Sequence, residues 1–117
     1  MTPVLHGIPN CDTMRKARAW LSAAGIAHSF HDHRRDGVDK AVLMRAVAEH
    51  GWDAVLNRKG TSFRALPDAA KADLDGERAT GLMIEHPSTI RRPLLDLGDR
   101  TVLGFSADHY QALFSVA

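Results

Sequence analysis

The sequence holds a single cysteine, Cys11, in 117 residues. No disulfide can form within the chain, and a cysteine-based metal tetrad is excluded. No apolar run comes near the roughly 18 residues of a membrane span. The N-terminal Met-Thr-Pro-Val-Leu-His lacks a basic stretch followed by a long apolar one, so no secretory leader is expected. Excess charge is missing too. Fifteen Lys and Arg face fourteen Asp and Glu, a net charge of +1, which gives neither nucleic acid nor an anionic membrane a footing. Repeats, low-complexity tracts and linker-like stretches are absent. What these absences leave is one domain, 1–117, expected to be a cytoplasmic monomer.

Apolar periodicity gives the organisation. Val4-Leu5 reads as a buried strand interrupted by Gly7 and Pro9. Met14, Ala17, Leu21 and Ala24 recur at helical spacing, with Trp20 beside them and Arg15, Lys16 and Arg18 on the other side. Gly25 is a stop for this helix, and Asn10 or Asp12 is expected to cap its start. A second strand is expected over 26–32, then a polar turn at Arg34-Arg35-Asp36-Gly37. Helical spacing returns over 39–50 and ends at Gly51. Trp52, Val55 and Leu56 suit one more turn of helix, and 57–64 reads as a loop. Pro67 is expected to start a short helix through Ala69, Ala70 and Ala72, broken by Asp75-Gly76. Ala79, Leu82 and Met83 support another helix that ends near His86-Pro87. Leu94-Leu95-Asp96-Leu97 and Thr101-Val102-Leu103 read as strands of a hairpin turning at Gly98-Asp99-Arg100. Ser106 is expected to cap a last helix carrying Tyr110, Leu113 and Phe114. The first two strands, joined by a helix, should be parallel and the last two antiparallel. The economical packing is an α/β fold with a mixed four-stranded sheet.

Chemistry gathers at Gly7-Ile8-Pro9-Asn10-Cys11, where a strand hands over to a helix. The positive end of the helix and its unpaired amides stabilise an anion. Free cysteine titrates at about 8.5, and helix N-termini or nearby cations bring such thiols to about 3.5–7.5. The expectation is a nucleophilic thiolate at Cys11, with Asn10, Asp12 and Thr13 around the reacting centre. Arg58, in Leu56-Asn57-Arg58-Lys59-Gly60, and Arg91-Arg92, just before Pro93, offer guanidinium forks that suit carboxylates and oxyanions. Arg92 is the better placed, because an Xaa-Pro junction at a strand edge aims it. The bland alternative for each arginine is a solvated surface.

Other residues weigh less. His31 and His33 share a face of the second strand, with His28 nearby. No third or fourth ligand is evident, so they are read as solvated edge-strand histidines and no metal site is expected. Trp20 and Trp52 are read as packing under helices. Ser88 and Thr89 are read as lining the turn before Pro93. Ser62 and Ser106 have no histidine-carboxylate partners, which removes serine hydrolysis.

Three blocks carry a resemblance. Gly7-Ile8-Pro9-Asn10-Cys11-Asp12-Thr13-Met14-Arg15-Lys16-Ala17-Arg18, then Leu56-Asn57-Arg58-Lys59-Gly60-Thr61, then His86-Pro87-Ser88-Thr89-Ile90-Arg91-Arg92-Pro93-Leu94 resemble, in order, the blocks of the ArsC (arsenate-reductase-like) family. Gly104-Phe105-Ser106 resembles the ending of its YffB branch. The resemblance implies a thioredoxin-like fold with a helical insertion between strands 2 and 3, at about 38–86. It implies Cys11 as nucleophile, Arg58 and Arg92 in an oxyanion pocket, and a cis Arg92-Pro93 bond. It also implies glutathione as co-substrate, glutaredoxin as a partner and no bound cofactor, in a thiol reductase or transferase. Arsenate reductases of the family have a third pocket arginine where this chain has Gly104. They have a histidine where it has Gly7, which makes arsenate the weaker substrate. His6 is adjacent, but a one-residue shift along a strand turns its side chain to the other face. The related Spx regulators, which bind RNA polymerase, often carry a Cys-Xaa-Xaa-Cys switch, and Met14 occupies its second position here. A non-enzymatic polymerase-binding protein is therefore the alternative.

Overall fold

The computed structural model describes residues 2–115; the ends of the expected 1–117 domain, Met1, Val116 and Ala117, lie outside the described residues. The chain opens with β1 (Val4–Gly7), α1 (Asp12–Ala23) and β2 (Ser29–Asp32). Five helices follow: α2 (Lys40–His50), α3 (Trp52–Val55), α4 (Thr61–Arg64), α5 (Asp68–Lys71) and α6 (Gly76–Glu85). A 3-10 turn at Pro87–Thr89 leads to β3 (Leu94–Asp96), β4 (Thr101–Leu103) and α7 (Ala107–Phe114). The strands form one sheet in the order β2-β1-β3-β4. The β1–β2 pair is parallel, and the other two pairs are antiparallel. This is the mixed α/β architecture expected, with the helical insertion between the second and third strands.

Several elements differ from the periodicity reading. Gly7 belongs to β1 rather than interrupting it, and β2 is shorter than 26–32. The 57–64 segment is not all loop. Its last four residues form α4, whose Phe63 is buried in the insertion core and whose turn closes through Ala65 N–H to Thr61 O at 3.0 Å. The helix at Pro67 is a single turn ending at Lys71, short of Ala72. Asp75-Gly76 starts a helix rather than breaking one. The Asp75 carboxylate accepts Arg78 N–H at 2.8 Å, which caps α6. Asp39 caps α2 in the same way, and Ser106 caps α7 as expected. Gly51 adopts φ +88°, which lets α2 turn directly into α3 without the penalty a Cβ brings there.

Side chains alternate across the sheet, so its two faces have separate cores. Leu5, Leu95 and Val102 pack against Met14, Leu21 and Tyr110 beneath α1 and α7, with Trp20 at the rim. Leu94 faces the insertion, whose core joins Leu43, Leu56, Met83 and Ile90, with Trp52 packed against it. Both tryptophans therefore do pack under helices. Burying each such aliphatic side chain contributes about 1.5–3 kcal/mol. Polar ties also anchor the insertion to the sheet. Arg45 of α2 pairs with the buried Asp96 of β3 at 2.8 Å, and the Glu49 carboxylate accepts Thr101 N–H at 3.0 Å.

Candidate active site

Cys11 is the residue that caps α1, in an extended conformation with φ −147° and ψ 128°. No side chain caps this helix, so neither Asn10 nor Asp12 takes the role expected of it. Asn10 is exposed, and the Asp12 carboxylate is taken up by Arg15 one turn along. The uncapped start leaves the first-turn amides beside the sulfur without a side-chain acceptor. Cys11 is half-buried and packs against the core shared by Leu5 and Met14; Thr13, in the same first turn, is also half-buried.

The sheet topology decides what meets Cys11. The chain leaves β1 at Gly7 and reaches Cys11 four residues later. His6 lies opposite Leu94 in the antiparallel β1–β3 pair, so Arg92-Pro93 enters β3 at the end where β1 exits. The parallel β1–β2 pair brings the exit of β2 to that end as well, with His33 N–H donating to Gly7 O at 2.9 Å. Gly104 joins them, its N–H donating to Pro93 O at 2.9 Å. Cys11 and Arg92 thus share one end of the sheet, and the Arg92-Pro93 bond is cis, as the resemblance implied. Arg92 is half-buried and has no hydrogen-bond or ion-pair partner among the described residues.

The remaining candidates divide. Leu56 forms a β-bridge with Ile90, and Asn57 N–H donates to Thr89 O at 2.8 Å, which fixes the Arg58 loop against the segment carrying Arg91 and Arg92. The exposed Arg58 guanidinium lies 5.5 Å from the Trp52 ring centroid, a cation–π stack on the insertion. Arg91 is committed elsewhere: its Nε donates to Ala54 O at 2.9 Å and its backbone N–H to Val55 O at 2.8 Å, so it ties α3 to the turn before β3. Arg34 is a residue that sequence reasoning took only for a turn. It follows β2, at the same end of the sheet, and its Nη2 donates to Ser88 Oγ at 2.7 Å. Its neighbour Arg35 grips Asp36, and that hydrogen bond pulls the Asp36 carboxyl down to about 2.

Two absences have structural correlates. A Cβ on Gly7 runs into Met14 Sδ, so the fully buried Met14 fills the space a side chain at position 7 needs. Gly104 sits at φ +75° with nothing within 4 Å of a built Cβ, so an arginine there faces backbone strain rather than a clash.

The histidines are not what the strand pattern suggested. His33 and His6 are each only 2% exposed, and His31 is half-buried. Only His28 stays apart, with Nδ1 2.9 Å from Ile26 O. The expected solvated edge is instead buried at His33 and half-buried at His31. Burial pushes the His33 imidazolium down to about 4 and lowers His6 in the same way. Neither ring of that pair finds a hydrogen-bond partner at either nitrogen, and each buried group left unmade costs about 1–3 kcal/mol. A cavity of about 400 Å³ lies elsewhere, between the end of α2, β4 and α7, and none of the candidate site residues line it. Among the described residues no helix is long and apolar enough to cross a membrane.

Comparisons with known proteins agree with this geometry. The solved YFFB (PA3664) protein is 52% identical, with a TM-score of 0.92 over 99% of this chain and 100% of that one. An arsenate reductase (ArsC) related protein from Brucella melitensis is 40% identical, with a TM-score of 0.76 over 97% of this chain and 95% of the other. The global transcriptional regulator Spx of Streptococcus agalactiae is 30% identical over 109 residues, 89% of this chain and 77% of that protein. The sequence pattern of the ArsC family matches residues 6–113, and the chain belongs to that family.

Proposed function

We propose that the protein is a cytoplasmic thiol reductase or transferase that works with glutathione, Cys11 being its nucleophile. The observation that carries this reading is the half-buried sulfur at an uncapped helix N-terminus, at the same end of the sheet as the unpaired Arg92. With a single cysteine, an outside thiol must close the cycle. The Cys11 thiolate attacks the glutathione sulfur of a mixed disulfide. The new S–S bond joins Cys11 to glutathione, and the other sulfur leaves as a thiolate that takes a proton from water. A second glutathione thiolate then attacks this intermediate, releasing oxidised glutathione and restoring Cys11. Per turnover the incoming glutathione sulfur goes from thiol to disulfide as the substrate sulfur goes from disulfide to thiol, and the glutathionyl sulfur of the substrate passes into oxidised glutathione at an unchanged oxidation level. Arg92 and Arg58 hold glutathione carboxylates or an oxyanion, and the first-turn amides face the reacting sulfur. Glutaredoxin, itself reduced by glutathione, is the protein partner that fits such a cycle.

The test is turnover of a glutathionylated peptide by wild type, Cys11→Ser and Arg92→Ala. Intact mass should show one glutathionyl adduct on wild type and none on Cys11→Ser. Arg92→Ala should raise KM more than it lowers kcat. Unchanged turnover in Cys11→Ser refutes the assignment.

The likeness to Spx supports a second reading, a non-enzymatic regulator that binds RNA polymerase. A pull-down with the C-terminal domain of the polymerase α subunit separates the two readings. Retention that persists in Cys11→Ser, together with no thiol turnover by wild type, favours the regulator.

A further inference from the structure

The three histidines His6, His31 and His33, whose rings gather at β1 and the end of β2, form a constellation that the thiol chemistry does not use. His6 lies directly opposite His31 in the parallel β1–β2 register, so those two project to one face of the sheet, and His33 stands in the turn just after β2, its N–H donating to Gly7 O at 2.9 Å. Their ring centroids lie 4.8 Å (His6–His31), 6.0 Å (His6–His33) and 6.3 Å (His31–His33) apart. Three imidazoles around one tetrahedral ion, each bound at about 2.0–2.1 Å, put their centroids about 5 Å apart.

The nitrogens are available. Both ring nitrogens of His6 and both of His33 are buried with no hydrogen-bond partner. His31 Nε2 lies 2.6 Å from Gly37 O. A carbonyl only accepts, so Nε2 is the nitrogen that carries a proton, and Nδ1 is the one left to ligate. A backbone carbonyl fixing the tautomer of an imidazole is the usual support behind a metal-binding histidine.

Charges of both signs lie around the rings: Asp39, Asp96 and Arg45 act on His6, and Asp32 and Arg92 on His33, with Asp96 and Arg45 paired to each other. We propose that His6, His31 and His33 bind one divalent ion of the zinc type, with solvent on the side of the half-exposed His31 completing its shell. Among the described residues no three donors already stand around one point. Rotation about the Cβ–Cγ bonds, a broad two-fold torsion, is the adjustment binding requires. The nitrogen donor set suits Zn²⁺, Cu²⁺, Ni²⁺ and Co²⁺ and disfavours Mg²⁺ and Ca²⁺.

The test is titration of chelator-stripped full-length protein with ZnCl₂ by calorimetry, and with CoCl₂ by visible absorption. One ion per chain should bind, with the intense band of four-coordinate Co²⁺. His31→Gln, half-exposed and therefore able to fold, and His33→Gln should each bind at least tenfold more weakly. Cys11→Ser and His28→Gln should bind like wild type. Circular dichroism checks each variant; if His33→Gln is unfolded, His31→Gln and the cobalt band decide. No binding by wild type below millimolar free Zn²⁺, undiminished affinity in His31→Gln, or loss of binding in Cys11→Ser overturns the proposal.

Discussion

The two faces of the sheet solve the same burial problem in opposite ways. Beneath α1 and α7, β1, β3 and β4 contribute Leu5, Leu95 and Val102, and the polar atom left stranded there is the Tyr110 hydroxyl. Burial raises the pKa of that phenol and so keeps it neutral. On the insertion face the same strands present His6, Asp96 and Thr101, all nearly fully buried. Asp96 and Thr101 are satisfied by Arg45, Glu49 and His50 from α2. His6 and His33 find no hydrogen-bond partner for their rings among the described residues. The oily face is the stable platform for Cys11, whereas the other depends on specific partners carried by a helix remote in sequence.

This contrast can be broken at several points. The largest effect belongs to Cys11→Ser, which should lower thiol turnover on the order of a hundredfold or more. Its melting temperature should stay near that of wild type, because the sulfur only borders the core. A large fall in melting temperature would instead make Cys11 a core residue. Next is Leu95→Ala, at the centre of the oily face and fully buried. It should cost about 2–5 kcal/mol in urea unfolding. A loss below 1 kcal/mol would mean that this core collapses around the cavity.

Gly7→Ala tests where that platform meets the site. Its new Cβ runs into Met14 Sδ, and overpacking of this kind costs about 1–3 kcal/mol. The same change in a Met14→Ala background should be nearly neutral, and a double-mutant cycle by chemical denaturation measures the difference.

The smallest effect is acid sensitivity of the polar face, read on metal-free protein. Folded His33 stays neutral down to about 4, whereas the unfolded chain takes up that proton near 6.5. Stability is therefore full above 6.5, falls as pH drops toward 4, and levels off below. Lowering pH from 7.5 to 5.5 should cost about 1 kcal/mol for this group, with His6 adding in the same direction. His33→Gln should flatten the thermal-melt profile across that range. An equally steep profile in the variant would assign the acid loss to other groups.

Much of the fold was legible because its signals are local. Helical spacing at Met14, Ala17 and Leu21 announces a buried stripe, and Gly98-Asp99-Arg100 between apolar runs announces a hairpin. Asp75-Gly76 misled because an aspartate followed by glycine serves as readily for a helix cap as for a break; the capping amide of Arg78 belongs to the following residues. The 57–64 segment misled because the contact that stabilises α4 is Phe63 against a core assembled from distant helices.

For the site, the sequence by itself determined the candidate nucleophile and its setting: one cysteine, a strand before it, a helix after it, and arginines in blocks that resemble a known family. Only the tertiary structure showed that Arg92 and Arg34 both share its end of the sheet, because the pairing of β1 with β3 and with β2 puts the start of one and the end of the other beside the exit of β1. It also decided that Arg91 is spent on holding α3, and that His6, His31 and His33 lie together with His6 and His33 buried. Alternation along a strand says which side chains share a face. What covers that face is set by the packing of an element that begins several residues later, and no local pattern carries that information.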